Sequence, residues 1–237
     1  MKNTTLLFTS EHGGNDIPAG YSELFNDFHD VLATHRGYDL GIWSVADALA
    51  QAFDARLFKN HVTRLLVDTN RSLWRRTLFS EKTKPLPKKE KQKILDTYYY
   101  PHRNAITEFI ETEIGRGQKI LHIATHSFTP VMKGEVRNAD IGLLYDPERS
   151  NEKNISKEWK NTLAATLPDF RVRFNYPYRG KPDGLTAHFR KLHANGSYLG
   201  VELEVNQKYV TNGSFPSYVQ TGLVQSFRKT MESFSWL

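Results

Sequence analysis

Three times along this chain an apolar run of β character ends on residues that carry chemistry. Leu6-Leu7-Phe8 drives into Ser10-Glu11-His12-Gly13-Gly14-Asn15-Asp16. Lys119-Ile120-Leu121-His122-Ile123-Ala124-Thr125 delivers His126-Ser127-Phe128. Tyr198-Leu199-Gly200-Val201-Glu202-Leu203-Glu204-Val205 holds two carboxylates two residues apart, which puts both on one face of a strand. A carboxylate in a core strand is unfavourable unless it is paired or used. Ends of parallel strands lie side by side, and the loops that follow them are where sites of α/β proteins are built. His12 and His126 are therefore expected to converge, with Glu202 and Glu204 near them. His122 shares the parity of His126 but sits deeper, as a packing residue.

The segments between these runs have helical character. Val45, Leu49 and Ala52 recur at helical spacing over Ile42–Phe53. Tyr21–Thr34 should hold a short helix. Lys88–Ile114 reads as a long helix kinked or split at Pro101, with His102 and Arg103 after the break. Ser156–Leu167, with Ser156 as its cap, and Pro216–Phe234 complete the set. Shorter strands are expected at Leu57-Phe58, Leu65-Leu66-Val67, Asp140–Tyr145 and Arg171–Phe174. Asn175–Thr186, rich in Gly, Pro and Tyr, reads as a loop over the site. The alternation of strand and helix argues for one α/β domain over residues 1–237, with a mixed, mostly parallel sheet and helices on both faces.

Cysteine is absent, which excludes a disulfide framework, a thiolate nucleophile and a Cys-ligated metal. Any metal must be held by His and carboxylate groups. The first apolar run is too short for a signal peptide, and no window approaches the ~18 apolar residues of a membrane span. A soluble, cytoplasmic protein without a membrane partner is expected. Part of the net charge of +6 comes from six lysines between Lys82 and Lys93. Pro85, Pro87 and the lack of interleaved aromatic residues favour a solvated loop and helix start over a nucleic-acid interface.

Further polar residues cluster at predicted turns. His35 and Asp39 flank a glycine-bracketed loop ahead of the Ile42 helix, where Asp39 is either a first-turn acid or a ligand. Asp68-Thr69-Asn70-Arg71-Ser72 follows Val67. Arg71 there is either a fork for a substrate carboxylate or a structural partner of Asp68. Taken together, His12, Asn15, Asp39, Asn70, Arg71, His126 and Glu204 suit one reaction. Two His and a carboxylate form a catalytic zinc set with a position left for water. A further carboxylate can act as general base and then acid. An Asn-Arg pair can grip a carboxylate on the substrate.

In this order the motifs resemble those of the N-formylglutamate amidohydrolases. They are Glu11-His12-Gly13-Gly14-Asn15, His35 through Asp39-Leu40-Gly41, Val67-Asp68-Thr69-Asn70-Arg71, His126-Ser127-Phe128-Thr129-Pro130, Ile141-Gly142-Leu143-Leu144-Tyr145 and Glu204-Val205-Asn206-Gln207. The resemblance covers nearly the whole chain. It implies a zinc-carboxypeptidase-like (phosphorylase/hydrolase-like) fold, zinc at His12 and His126, carboxylate binding by Asn70 and Arg71, and Glu204 as the catalytic carboxylate. The wider superfamily has His-x-x-Glu at the first motif, where this chain has Asn15. The third ligand is then expected at Asp39, with Glu11 and Asp16 as the alternatives, while Asn15 binds substrate or orients His12. Ser127 and His188 are further candidates for substrate contact, and Arg71 or His188 for the oxyanion. The reaction expected is metal-dependent hydrolysis of a linear amide. The small-molecule substrate would carry a carboxylate, as N-formyl-L-glutamate or a related N-acyl amino acid does. The alternatives are a carboxypeptidase or amidase acting on a peptide, or a non-enzymatic binding protein using the basic surface.

Overall fold

The structure is a computed structural model and describes residues 3–236. Met1, Lys2 and Leu237, which belong to the expected domain, lie outside the described residues.

The chain opens with β1 (Thr4–Ser10), a 3-10 turn at Ala19–Phe25 and the short α1 (His29–Leu32). Next come α2 (Ile42–Ala52), β2 (Arg56–Lys59) and α3 (Lys88–Ile94). A π-helical segment, Leu95–Tyr99, joins α3 to α4 (Tyr100–Gly115). The remainder is β3 (Lys119–Phe128), the small ribbon β4 (Val131–Met132) and β5 (Glu135–Val136), β6 (Ile141–Leu144), α5 (Ser150–Thr166), β7 (Val172–Phe174), α6 (Leu185–Leu192), β8 (Tyr198–Asn206) and α7 (Ser217–Ser233). Six strands form one sheet in the order β2-β1-β3-β8-β6-β7. β2, β1, β3 and β8 run parallel, and β6 with β7 runs against them. The mixed, mostly parallel sheet of the sequence reading is therefore present.

Alternation within the strands decides what each face becomes. Leu199, Val201, Leu203 and Val205 of β8 join Leu121 and Ile123 of β3 and Phe8 of β1 in the main core, under α2, α5 and α7. Trp159 and Phe227 from two of these helices are fully buried there with rings 4.7 Å apart. The other face is covered only partly. Leu7, Ile120 and Tyr198 pack against Ile106 and Ile110 of α4 and Leu185 and Phe189 of α6. His122 lies in this layer between Thr9 Oγ1 (2.8 Å) and Tyr198 Oη (2.7 Å), a packing role in which burial draws its pKa down to about 4. Further along the same row, toward the strand ends, the side chains are Ala124, His126, Glu202 and Glu204. β3 and β8 pair His126 with Glu204 and Ala124 with Glu202.

Three expectations need correcting. Leu65-Leu66-Val67 is not a strand but a turn, and its side chains are buried in a second apolar cluster with Phe25, Ile94 and Tyr99. An apolar run alone does not separate a buried turn from a buried strand. Pro101 does not split the helix. It sits in the first turn of α4, directly after the π segment, where a missing N–H is tolerated. Ser156 is not a cap, since α5 begins six residues earlier and Ser156 is buried within it. No helix among the described residues is long and apolar enough to cross a membrane.

Candidate active site

The Glu11-His12-Gly13-Gly14 segment turns sharply off the end of β1. A Cβ on Gly13 would lie 2.2 Å from the Trp43 indole nitrogen, and one on Gly14 would lie 2.1 Å from the His61 carbonyl oxygen. Only glycine fits at either place. The loop is held by main-chain bonds: Asp39 N–H donates to the His12 carbonyl at 2.7 Å, and Asn60 N–H to that of Ser10 at 3.0 Å. Asp39 is thereby fixed three residues before α2. Gly41, with φ +77°, is the residue that caps this helix, so the Asp39 carboxylate is not needed there.

His12, Asp39 and His126 come together, all buried, with a ligand atom from each within 4.8 Å of the others. His126 Nδ1 is 3.0 Å from Asp39 Oδ2, and His12 Nδ1 is 3.9 Å from the same oxygen. The second nitrogen of each ring faces another buried carboxylate. His12 Nε2 bonds Asp68 Oδ1 at 2.6 Å. His126 Nε2 lies 3.2 Å from Glu11 Oε2, close enough for an ion pair but not aligned as a hydrogen bond. Both imidazoles are thus backed by a carboxylate on one nitrogen and turned toward Asp39 with the other, the arrangement that orients histidine ligands of metals. Arg64 pairs with the other oxygen of Asp39. Of the three carboxylates open for the third position, Asp39 stands in this group. Glu11 lies behind His126, and Asp16 forms an isolated β-bridge with Val62 outside the sheet.

The donor set fits a divalent ion. Two imidazole nitrogens and one carboxylate oxygen are among the ligand sets that zinc takes. Buried acceptors and donors around it lack hydrogen-bond partners among the described residues: both Glu11 oxygens, His126 Nε2 and Glu204 Oε2.

Charges in the group are strongly coupled. Burial alone would raise the Glu11 carboxyl, but the His126 ring beside it outweighs this and brings it down to about 2. Asp39 and Asp68 are likewise held well below the carboxylate range against burial, Asp39 first by Arg64 and Asp68 first by His12. Burial would lower His126, yet its hydrogen bond to Asp39 and the Glu11 carboxylate beside it hold it well above an ordinary histidine. Glu204 goes the other way. Burial, with Asp39 and Glu202 adding repulsion, pushes it up to about 8 against the pull of His126. Glu202 is also raised, chiefly by burial, and accepts a bond from Thr186 Oγ1 at 2.6 Å.

Over this group lies a cavity of about 170 Å³. His12, Asp39, His126, Glu202 and Glu204 line its floor side, with Asn70, Arg71, Ser127, Arg64 and Arg179 around it. Asn70 Oδ1 accepts from Leu185 N–H at 2.6 Å, tying the start of α6 to the cavity wall. Arg71 lies 3.6 Å from Asp68, remains partly exposed and lines the cavity. Ser127 Oγ donates to the Leu40 carbonyl at 2.9 Å and accepts from Gln207 at 3.0 Å. The loop expected over Asn175–Thr186 ends at Gly184, where α6 begins, and it closes one side through Tyr178, Arg179 and Asp183. It approaches Glu204 over Gly142, where a Cβ would meet the Tyr176 carbonyl at 2.1 Å. His35 also lines the cavity, from the turn ahead of α2.

Two candidates are placed elsewhere. Asn15 donates to the Leu32 carbonyl at 2.8 Å and does not line the cavity, so it secures the first loop against α1. His188 lines a separate cleft beside Ser72 and Arg103 and does not reach the His–Asp–His group. Conversely, Asp68 and Arg64 matter more than their sequence context indicates. Asp68 follows an apolar run as His12 and His126 do, which was a usable signal. Arg64 sits in a buried turn that carries none.

The fold is mixed α/β, and the site gathers two histidines and buried carboxylates over its strand ends. A family model described as FGase, N-formylglutamate amidohydrolase, matches residues 4–210, and the chain belongs to this family. Among solved structures, a gene product of Agrobacterium tumefaciens is similar at 25% identity and a TM-score of 0.80, over 97% of this chain and 91% of that one. An N-formylglutamate amidohydrolase from Ralstonia eutropha JMP134 is similar in fold, at 16% identity and a TM-score of 0.66, over 98% of this chain and 93% of that one. A comparison with curated proteins returned no match.

Proposed function

We propose that this protein is a zinc-dependent amidohydrolase that removes the acyl group from a small N-acyl amino acid, with N-formyl-L-glutamate as the first substrate to test. The observation that carries the proposal is Glu204: a buried carboxyl with an unpartnered oxygen, on the same sheet row as His126, facing a small polar cavity. His12 Nδ1, His126 Nδ1 and Asp39 Oδ2 would hold the ion. When bound, zinc supplies Lewis acidity that brings a water toward ionisation at neutral pH and polarises the scissile carbonyl.

The chain's own groups would do the rest. Asp68 and Glu11 keep the two imidazoles oriented, and Arg64 does the same for Asp39. Arg71, helped by the Asn70 carboxamide, anchors the substrate carboxylate and so sets the amide over Glu204. Glu204 takes a proton from the attacking water at a carboxylate oxygen. It returns that proton to the leaving nitrogen as the C–N bond breaks. For the formyl substrate the products are formate and glutamate, and one water is consumed.

The cavity size favours this reading over a peptidase. About 170 Å³ falls below the ~300–1,000 Å³ of pockets for drug-sized ligands, and suits a single amino-acid derivative. A substrate panel tests the choice. N-formyl-, N-acetyl- and N-succinyl-amino acids are compared with dipeptides, following released acid and free amine. Selective release of formate from N-formyl-glutamate is expected. Faster cleavage of dipeptides than of any acyl amino acid would replace this proposal with the peptidase.

A further inference from the structure

On the other side of the Asn70–Arg71 loop lies a second cleft, of about 370 Å³. Ser72, Tyr99, Arg103, Asn104, His188 and Lys191 are among its lining residues, and it shares none with the first cavity. Among the described residues no carboxylate lines it, whereas two cationic side chains do. Arg103 is only 7% exposed and forms no ion pair among the described residues. Its Nη1 donates to the Thr69 carbonyl at 3.0 Å, and its guanidinium lies 5.2 Å from the centre of the Tyr99 ring. The carboxylates that act on its charge are engaged elsewhere: Glu11 with His126, Asp183 with Ser72 and Arg75, and Asp68 with His12. A carbonyl needs only a neutral donor. A buried guanidinium without a counter-charge is costly, and an anion in the adjoining cleft removes that cost.

We infer that this cleft binds a small oxyanion-bearing molecule, a carboxylate or a phosphate, on Arg103 and the exposed Lys191, with Asn104 as a further donor. The site also touches the loop that carries Asn70 and Arg71. Arg103 holds the Thr69 carbonyl, and Tyr99 Oη donates to the Arg71 carbonyl at 2.7 Å. An occupant shifts the affinity of the first cavity through these two bonds, so its effect falls on KM more than on kcat. The binding claim does not depend on the reaction proposed above.

Isothermal titration of the full chain with inorganic phosphate, and separately with benzoate, tests it. One anion per chain is expected to bind saturably. The tighter of the two probes marks the ligand as phosphorylated or carboxylic. Lys191→Glu, an exposed change that keeps the fold, weakens binding at least about tenfold. Arg71→Ala, in the other cavity, leaves binding within about twofold. Arg103→Gln abolishes it, and if that variant is unfolded by circular dichroism, Lys191→Glu decides alone. Two results overturn the inference. One is no saturation by about 10 mM of either probe, ten times a millimolar Kd. The other is binding that Arg71→Ala removes and Lys191→Glu does not, which places the anion in the His–Asp–His cavity.

Discussion

Asp68 Oδ1 bonds His12 Nε2 at 2.6 Å, and that single contact determines which nitrogen of His12 faces Asp39. The same oxygen accepts the Asn70 N–H at 3.0 Å, and the other lies 3.6 Å from Arg71. One carboxylate thus organises both the candidate metal ligand and the residues proposed to hold substrate. Asp68→Asn should keep the fold and weaken zinc binding by roughly ten- to a hundredfold, as loss of such a supporting carboxylate typically does. Chelator competition against the wild type measures this.

The buried charges make a signed prediction about stability. The Glu204 carboxyl is raised to about 8, from an ordinary value of 4.5. Between those values the folded, metal-free protein holds a proton that the unfolded chain has lost, so unfolding free energy falls as pH rises through this window. Asp39, Asp68 and Glu11 are depressed, so their contribution is present above about pH 4 and is lost only on acidification. His126, raised, also loses its contribution with rising pH once its ordinary value is passed. Denaturant unfolding of chelator-treated protein at pH 5 and pH 8 should show a smaller decline in Glu204→Gln than in wild type. An equal decline in both would show that Glu204 ionises normally.

Arg71 is expected to act in substrate binding. Arg71→Lys keeps the charge but loses the fork that matches a carboxylate. KM for the acyl amino acid should rise roughly tenfold or more, with kcat changed less. Steady-state kinetics separate the two. A fall in kcat at unchanged KM would move Arg71 from anchoring to the chemical step.

How much of this was legible beforehand follows from what each residue's neighbours in sequence reveal. β1, β3 and β8 were visible because each carries an apolar run of β character that leads into polar residues. His12, His126 and Glu204 were visible for the same reason. Leu65-Leu66-Val67 was not, because burial beneath loops leaves the same apolar run as burial in a sheet. His188 lies in the first turn of α6 and lines the neighbouring cleft, a placement its sequence context does not reveal. Arg64 reaches Asp39 across 25 residues from a turn with no periodicity, a pairing that only the tertiary structure reveals.

Gly142 illustrates a contact of that tertiary kind. Its missing side chain lets the Tyr176 carbonyl approach, and a Cβ would also lie 3.2 Å from Glu204 Cβ. Gly142→Ala should displace the loop that carries Tyr176, costing about 1–3 kcal/mol of stability as overpacking does. Activity should drop even where the protein remains folded. Thermal unfolding and turnover of the variant check both parts.

The central claim is that Glu204 moves the proton at a metal site that it does not itself form. The most direct measurement is turnover of N-formyl-L-glutamate by Glu204→Gln, together with the metal content of untagged protein. One zinc per chain and a loss of kcat of about 10²–10⁴-fold are predicted. Full activity in Glu204→Gln, or wild-type turnover undiminished after complete removal of metal, would contradict the account.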